Sequence, residues 1–270
     1  GFRVDADVKV NTNTEKYVAW QWKCNAGTTE TAVTESGNNP GNTRQTNADA
    51  GFSIISYVGT GAAGTIAHGL GVAPEWFIVK ATDNATNWMC YHEANTADPE
   101  TDALVWDETG ATSDNSVWWN DTAPTSSVFT VGTHDRVNAD GKNFIAYVFA
   151  PKQGYSKFGG YTGNGNNDGP FIYTGFKPAM FIRKRTNGAN GWNIWDNKRA
   201  PFNEMHASLA SHTTDVEDAN TGYNDVDFFS NGIKIHDTGD SHNLSGSSYV
   251  YWAWAESPFV SSKGVPTTAR

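Results

Sequence analysis

Helix formers, cysteine and positive charge are what this 270-residue chain has least of. Leucine occurs only at Leu70, Leu104, Leu209 and Leu244, while Gly, Asn and Thr abound, a balance that favours strands and turns over helices. Lys and Arg total 19 against 29 acidic residues, and the net charge of −10 argues against a nucleic-acid footprint. The one basic cluster, Arg183-Lys184-Arg185, reads as a solvated edge at a strand end. With two cysteines a thiolate metal site is excluded. Cys24 falls in a polar stretch and Cys90 in a strand, where cysteine is usually an inert apolar residue, so a bridge between them is the lesser alternative. No run of 18 apolar residues is present, which excludes a membrane-inserted helix and reads as a soluble chain. The start, Gly1-Phe2-Arg3, carries no signal-peptide core and reads as the interior of something longer.

Aromatic residues are what the chain has instead: 11 Trp, 14 Phe and 10 Tyr in a sequence only 38% apolar. Each buries about 150 to 250 Å², so a few large rings can make a core. The rings recur in a motif written three times, GFRVDADVKVNTNTEKYVAWQW from Gly1, VFTVGTHDRVNADGKNFIAYVF from Val128 and GIKIHDTGDSHNLSGSSYVYWAW from Gly232. Phe2, Asn11, Tyr17 and Trp22 lie 127 residues before Phe129, Asn138, Phe144 and Phe149. After one insertion, Asn243, Tyr249 and Trp254 follow the last three of these at 105. A short apolar run, a polar turn and an aromatic run spell a β-hairpin in each copy.

A second repeated stretch opens two of the three copies. Tyr57, Pro74, Phe77, Lys80 and Trp88 match Tyr161, Pro178, Phe181, Lys184 and Trp192, all 104 residues on. Within it residues 76–80 and 87–91 form two strands around a turn, with Trp88 and Cys90 on one face and Met89 and Tyr91 on the other. Between the opening and closing stretches each repeat inserts a divergent section, the expected behaviour of surface loops. About seven strands per repeat with turns between them predict an all-β protein. The period of 104 excludes a propeller, whose blades repeat every ~40 to 50 residues. The organisation expected is two tandem antiparallel β-sandwiches, jelly-roll or lectin-like, preceded by the closing hairpin of a further sandwich. Its parts are 1–23, the terminal hairpin of an upstream repeat; 24–50, a linker or irregular hairpin; 51–152 and 153–260, the two sandwiches; and 261–270, a tail.

The strings NADAGFSIISYVGTG, AHGLGVAPEWFIVK, NDTAPTSSVFTVGT, GYSKFGGYTGNG, DGPFIYTGFKPA and YWAWAESPF resemble the repeat domains of virion proteins of tailed, especially marine, bacteriophages. The resemblance runs from Gly1 to about Phe259. It implies a structural or adhesive part of a phage particle, located on the virion and partnered by other virion proteins, and it brings no catalytic residues. Oligomerisation, with a trimer favoured, goes with such proteins.

The seven histidines are scattered without metal-site spacing and read as isolated surface residues. Asp83, Glu93, Asp107, Glu108, Asp196 and Glu256 could include a glycosidase pair, but such a pair must sit about 5 to 9.5 Å apart and sequence does not place it. His92 and Asp196 occupy equivalent positions and differ, which argues against a duplicated catalytic site. The oxygen-rich loop Asn164 to Gly169 could hold calcium, though a plain polar turn is the simpler reading. Adjacent strand residues point to opposite faces, so one of Trp118 and Trp119 should be exposed. Trp118, Trp119, Asn120 and Asp121, with Phe228 and Phe229, are the candidate contacts for a subunit or a glycan. No cofactor and no catalytic or metal residue is assigned. The expected function is a structural virion protein, fibre-like or a capsid decoration; the alternative is an adhesin for a host-surface glycan, and a polysaccharide depolymerase is a distant third.

Overall fold

The computed structural model describes residues 2–24, 33–217 and 226–257. Strands dominate, and the helical elements among these residues are single turns, as the shortage of helix formers predicts. In chain order come the helical turn α1 (Val8–Asn11), then β1 (Asn42–Asn47), β2 (Phe52–Val58), β3 (Gly64–Ala67), β4 (Trp76–Ala81), β5 (Met89–His92), β6 (Asp102–Val105) and β7 (Ser113–Asp114). The first repeat ends with β8 (Val128–Val131), the turn α2 (Asp135–Asn138) and β9 (Asn143–Phe149). The second contains β10 (Ser156–Thr162), β11 (Phe171–Tyr173), β12 (Pro178–Arg185), β13 (Trp192–Asp196), β14 (Val226–Phe229), β15 (Gly232–Ile235) and β16 (Ser248–Ala255).

Each repeat is a two-sheet antiparallel sandwich. In the first, the large sheet runs β1-β2-β9-β4-β5-β6-β7 and the small one is β3-β8; in the second, β10-β16-β12-β13 faces β11-β15-β14. The registers coincide: Trp76 pairs with Phe149 and His92 as Met180 pairs with Trp254 and Asp196. Alternation sorts the side chains. Phe77, Val79, Met89 and Tyr91 turn inward to meet Ile66 and Phe129 of the small sheet, while Trp76, Ile78 and Cys90 turn outward. The second sandwich closes the same way, with Phe181 and Trp195 against Ile172 and Ile233.

The outward faces are not solvated. They pack against each other, so the two large sheets lie back to back and a third core, rich in Trp, forms between the sandwiches. This explains why β4 and β16 are apolar on both faces, the pattern of strands covered on both sides.

The closing motif departs from the expected hairpin. β8 pairs with β3 and β9 with β2 and β4, so the two strands of the motif belong to opposite sheets and the polar turn between them arches across the sandwich. Asn138 holds the arch: its Nδ2 donates to the Gly132 and Ala62 carbonyls, and its Oδ1 accepts from the Thr60 amide. Asn243 occupies the same position and accepts from the Asn164 amide. Gly59 and Gly163 pass so close to the arch that a Cβ would come within 2.2 Å of the Ala139 carbonyl and 2.3 Å of the Leu244 carbonyl.

Residues 2–24 correct the expectation of a terminal hairpin. They contain α1 and an extended run but no strand, because none of the described strands pairs with them. Of the stretch 24–50, residues 25–32 lie outside the described residues. The remainder matches the irregular hairpin rather than the linker: Val33 bridges Asn42 antiparallel, and β1 forms the edge of the first large sheet. The tail 261–270 also lies outside the described residues. Finally, Arg183 and Lys184 are fully buried rather than a solvated edge, since β12 lies between two packed layers.

Candidate functional site

The space between the back-to-back sheets is not completely filled. A cavity of about 740 Å³ remains, bounded by both sandwiches and by the N-terminal run. The first sandwich contributes Ile54, Trp88, Tyr147 and Phe149 from its outer face; the second contributes Met180, Ile182 and Ile194. Trp20 and Trp22 close one side. The rings interlock: Trp76 lies edge-to-face with Trp252 at 5.7 Å and with Trp254 at 5.8 Å, and Trp106 lies tilted against Trp192 at 4.5 Å. Such arrangements suit the aromatic quadrupole. Among the polar groups of the lining, Asp107 accepts from the Trp88 amide and from Asn87, and Ser211 donates to the Trp106 carbonyl. The indole N–H groups of Trp20 and Trp254 are buried without a hydrogen-bond partner. Asp107 is the one carboxylate among the described residues of the lining, most of which is apolar.

Polar bonds lock the sandwiches around it. The Trp192 indole donates to the carbonyls of Val105 and Glu108, at 3.0 and 3.1 Å, and the Thr112 amide donates to Thr186. His92 Nε2 lies 3.2 Å from the Tyr251 carbonyl and its Nδ1 accepts from the Ala94 amide, which assigns the proton to Nε2. Burial pushes the His92 pKa down to about 4, so the ring is neutral. Lys184 reaches the carbonyls of Thr109 and Arg185, and burial, reinforced by Arg183 and Arg185, lowers its pKa to about 7.

A second buried polar group lies inside the second sandwich. Arg183, where the first repeat has Val79, donates to Asn193 Oδ1 at 2.5 Å and sits over the rings of Trp195 and Tyr249. Its Nε and Nη1 have no hydrogen-bond partner, and burial lowers its pKa to about 10. His242 lies nearby, 3.8 Å from Asp237, with its pKa depressed by burial and then by Arg183.

The candidate contacts from sequence are not brought together. Trp118 and Trp119 are both buried in the first sandwich's own core, which corrects the expectation that one is exposed. They lie in a turn rather than a strand, so alternation does not apply; their indoles donate to Ser113 Oγ and to the Asp102 carbonyl. Asn120 and Asp121 are exposed, with φ of 55° and 45°. Asn and Asp tolerate the left-handed region best among residues with a side chain, and that accounts for them here as turn formers. Phe228 is buried in the second core, whereas Phe229 is exposed beside Phe171, their rings 6.1 Å apart. Tyr173, also exposed on this small sheet, holds Lys157 of β10 over its ring.

Other expectations resolve locally. His68, His92 and His242 are buried, not surface residues. His68, His92 and His134 each accept the amide two residues on, so histidine here closes turns. The Asn164–Gly169 loop spends its oxygens on its own amides and on Asn243, while Asp168 pairs with Lys234. Among the described residues no cluster of three His, Cys, Asp or Glu could hold a metal. Asp83 bonds Asn143, Asp196 pairs with Arg199 and Glu256 with Lys177. Both cysteines are free thiols; Cys90 accepts the Trp76 indole N–H.

Sequence reasoning missed the convergence of Trp20, Trp22, Trp76 and Trp254. The signal was present in the two-sided apolar pattern of β4 and β16, which says that the outer face is covered but not by what. No curated protein and no solved structure matches the chain. The family described as a domain of unknown function (DUF7483) matches residues 1–258, so the chain belongs to that family.

Proposed function

We propose that the chain is a structural component of a bacteriophage virion, fibre-like or a capsid decoration, in which the sandwiches act as a stiff building block among other virion proteins. The observation that carries this reading is the aromatic interlock of Trp76 with Trp252 and Trp254, backed by the Trp192 and Thr112 hydrogen bonds. Two sandwiches joined only by a flexible linker would swing independently. Joined through a desolvated ring network, they move as one body, which suits a load-bearing role. The resemblance of the repeat strings to phage virion domains supports the same reading, and assembly as a trimer is part of it. Immunogold labelling of purified phage particles with antibody raised against the recombinant chain tests it. Label on the particles is expected; antigen that stays in the lysate and never sediments with particles removes the reading.

A second reading, an adhesin for a host-surface glycan on the virion exterior, is favoured by one feature. Phe171, Tyr173 and Phe229 present exposed rings on one small sheet beside Lys157 and Lys234, and exposed rings stack on sugar CH faces. Glycan-array binding that vanishes on combining Tyr173→Ala with Phe229→Ala supports it, and an array with no signal for the native chain ends it. A depolymerase is the third and weakest reading, with no acid and base pair assigned.

A further inference from the structure

The N-terminal run and the cavity have one explanation. Residues 2–24 share hydrogen bonds and a cap with the arches that close the two sandwiches. Asn11 Nδ2 donates to the Asp5 carbonyl as Asn138 Nδ2 does to Gly132, the residue 127 positions on. The Tyr17 hydroxyl donates to Val8 and accepts from the Thr12 amide, as the Tyr249 hydroxyl donates to Asp240 and accepts from Leu244. Asp7 caps α1 as His134 caps α2. Yet Phe2, Val4, Val10 and Tyr17 are 62%, 41%, 45% and 51% exposed, whereas their counterparts Phe129, Val131, Val137 and Phe144 are at most 1% exposed. The closing half of a sandwich is folded with its apolar face uncovered.

The cavity shows where the missing half belongs. In the contact between the two sandwiches, Trp76 and Trp106 of the first press on Phe158, Trp192, Trp252 and Trp254 of the second. The two partners use different surfaces, a head-to-tail contact that closes into a ring when the rotation permits. The counterparts of the receiving face in the first sandwich are Ile54, Trp88, Tyr147 and Phe149, and all four line the cavity. The counterparts of Trp76 and Trp106 in the second are Met180 and Ser211, which line it too. Trp20 and Trp22, counterparts of Trp252 and Trp254, are already seated there. The three equivalent rings Trp22, Phe149 and Trp254 meet at centroid distances of 6.1, 5.2 and 5.9 Å and interplanar angles of 75°, 66° and 71°, a near-threefold cluster.

We infer that the cavity and the uncovered face of residues 2–17 together form the slot of a third sandwich, completing a three-membered ring around Trp22, Phe149 and Trp254. The occupant is the opening half of a third repeat, with the strand pattern of residues 51–127. In both complete repeats the opening half precedes its closing half on the same polypeptide, and the same order places the third ahead of Gly1. Its outer sheet face would press on Ile54, Tyr147 and Phe149 as Trp76 and Trp106 press on the second sandwich, and its loop carbonyls would take the Trp88 indole N–H as Val105 and Glu108 take that of Trp192. A second copy of the chain is a poor occupant, because its opening strands are already paired within its own sandwiches.

The test compares the chain with two fusions, one carrying residues 51–127 ahead of Gly1 and the other residues 153–231, so that one incompatible half does not decide the outcome. Hydrogen exchange, trypsin digestion and solution mass are read on all three. In at least one fusion the amides of residues 2–22 are expected to slow by about a hundredfold or more, toward those of residues 129–149. Cleavage after Arg3, Lys9 and Lys16 should cease, the mass should stay that of a monomer, and binding of the apolar dye anilinonaphthalene sulfonate to the cavity should be lost. Unchanged exchange and cleavage in both fusions overturn the inference. So does an unfused chain that is dimeric with residues 2–22 protected, or dye that binds all three proteins equally.

Discussion

His92 and Arg183 show how much depends on single buried side chains. His92 is neutral in the fold, its Nδ1 turned to the Ala94 N–H, so a second ring proton would face a donor. Its folded pKa of about 4 lies below the ordinary value of 6.5. The unfolded chain therefore binds more protons between these values, and stability is lost as pH falls from 6.5 to 4 by roughly 3 kcal/mol at most. Glu75, raised to about 7 by burial and by Glu93, opposes this between 4.5 and 7, and its partial exposure weakens its share. Urea unfolding at several pH values should show this acid-side loss, to which His242 also contributes, and His92→Gln should reduce it. Arg183 poses the reverse problem: it is a buried cation with two unbonded donors where the first repeat has Val79. Replacing buried charge by apolar volume is often neutral or stabilising. Arg183→Met is expected to keep or raise the unfolding free energy, by up to about 2 kcal/mol, in the same urea titration.

Among elements, the arch between β8 and β9 and its counterpart before β16 are the most constrained. The backbones of Gly59 and Gly163 touch the arch carbonyls with no room for a methyl group. Gly59→Ala must push two backbone segments apart and should cost roughly 2–4 kcal/mol. Gly141 supplies the control, since it is left-handed at φ +66° but open to solvent. Gly141→Ala should cost only about 1 kcal/mol, and thermal unfolding of the two variants separates close approach from backbone preference. The arch and a hairpin share one local sequence pattern. Two apolar runs around an Asn- and Asp-rich turn read identically whether the strands pair or separate to opposite sheets, since local pattern carries no information on partners. Asn138 was visible as a repeated position, but its bonds to Thr60 and Ala62 depend on a loop more than seventy residues away.

At the scale of the whole molecule, stability rests on the Trp-rich core between the sandwiches. Trp76→Ala removes the ring that meets Phe158, Trp252 and Trp254, and a loss of about 3–5 kcal/mol is expected. Near-ultraviolet circular dichroism followed through unfolding should then show the sandwiches melting in two steps where the native chain melts in one. Trp118→Ala, confined to the first sandwich's core, should destabilise that sandwich without uncoupling the pair.

The sequence by itself determined the strand-rich class, the two opening and three closing copies, the β4–β5 and β12–β13 hairpins and which residues of β5 share a face. These follow from composition and from periods that a strand imposes on its own residues. Only the tertiary structure decided that the closing strands part to different sheets, that Trp118 and Trp119 are buried, that Arg183 and Lys184 lie inside, and that the two outer faces meet. Burial and pairing are properties of what a distant segment brings to a face. A strand's alternation can say that both its faces are apolar, while the identity of the layer lying against each is settled only when the chain has folded back upon itself.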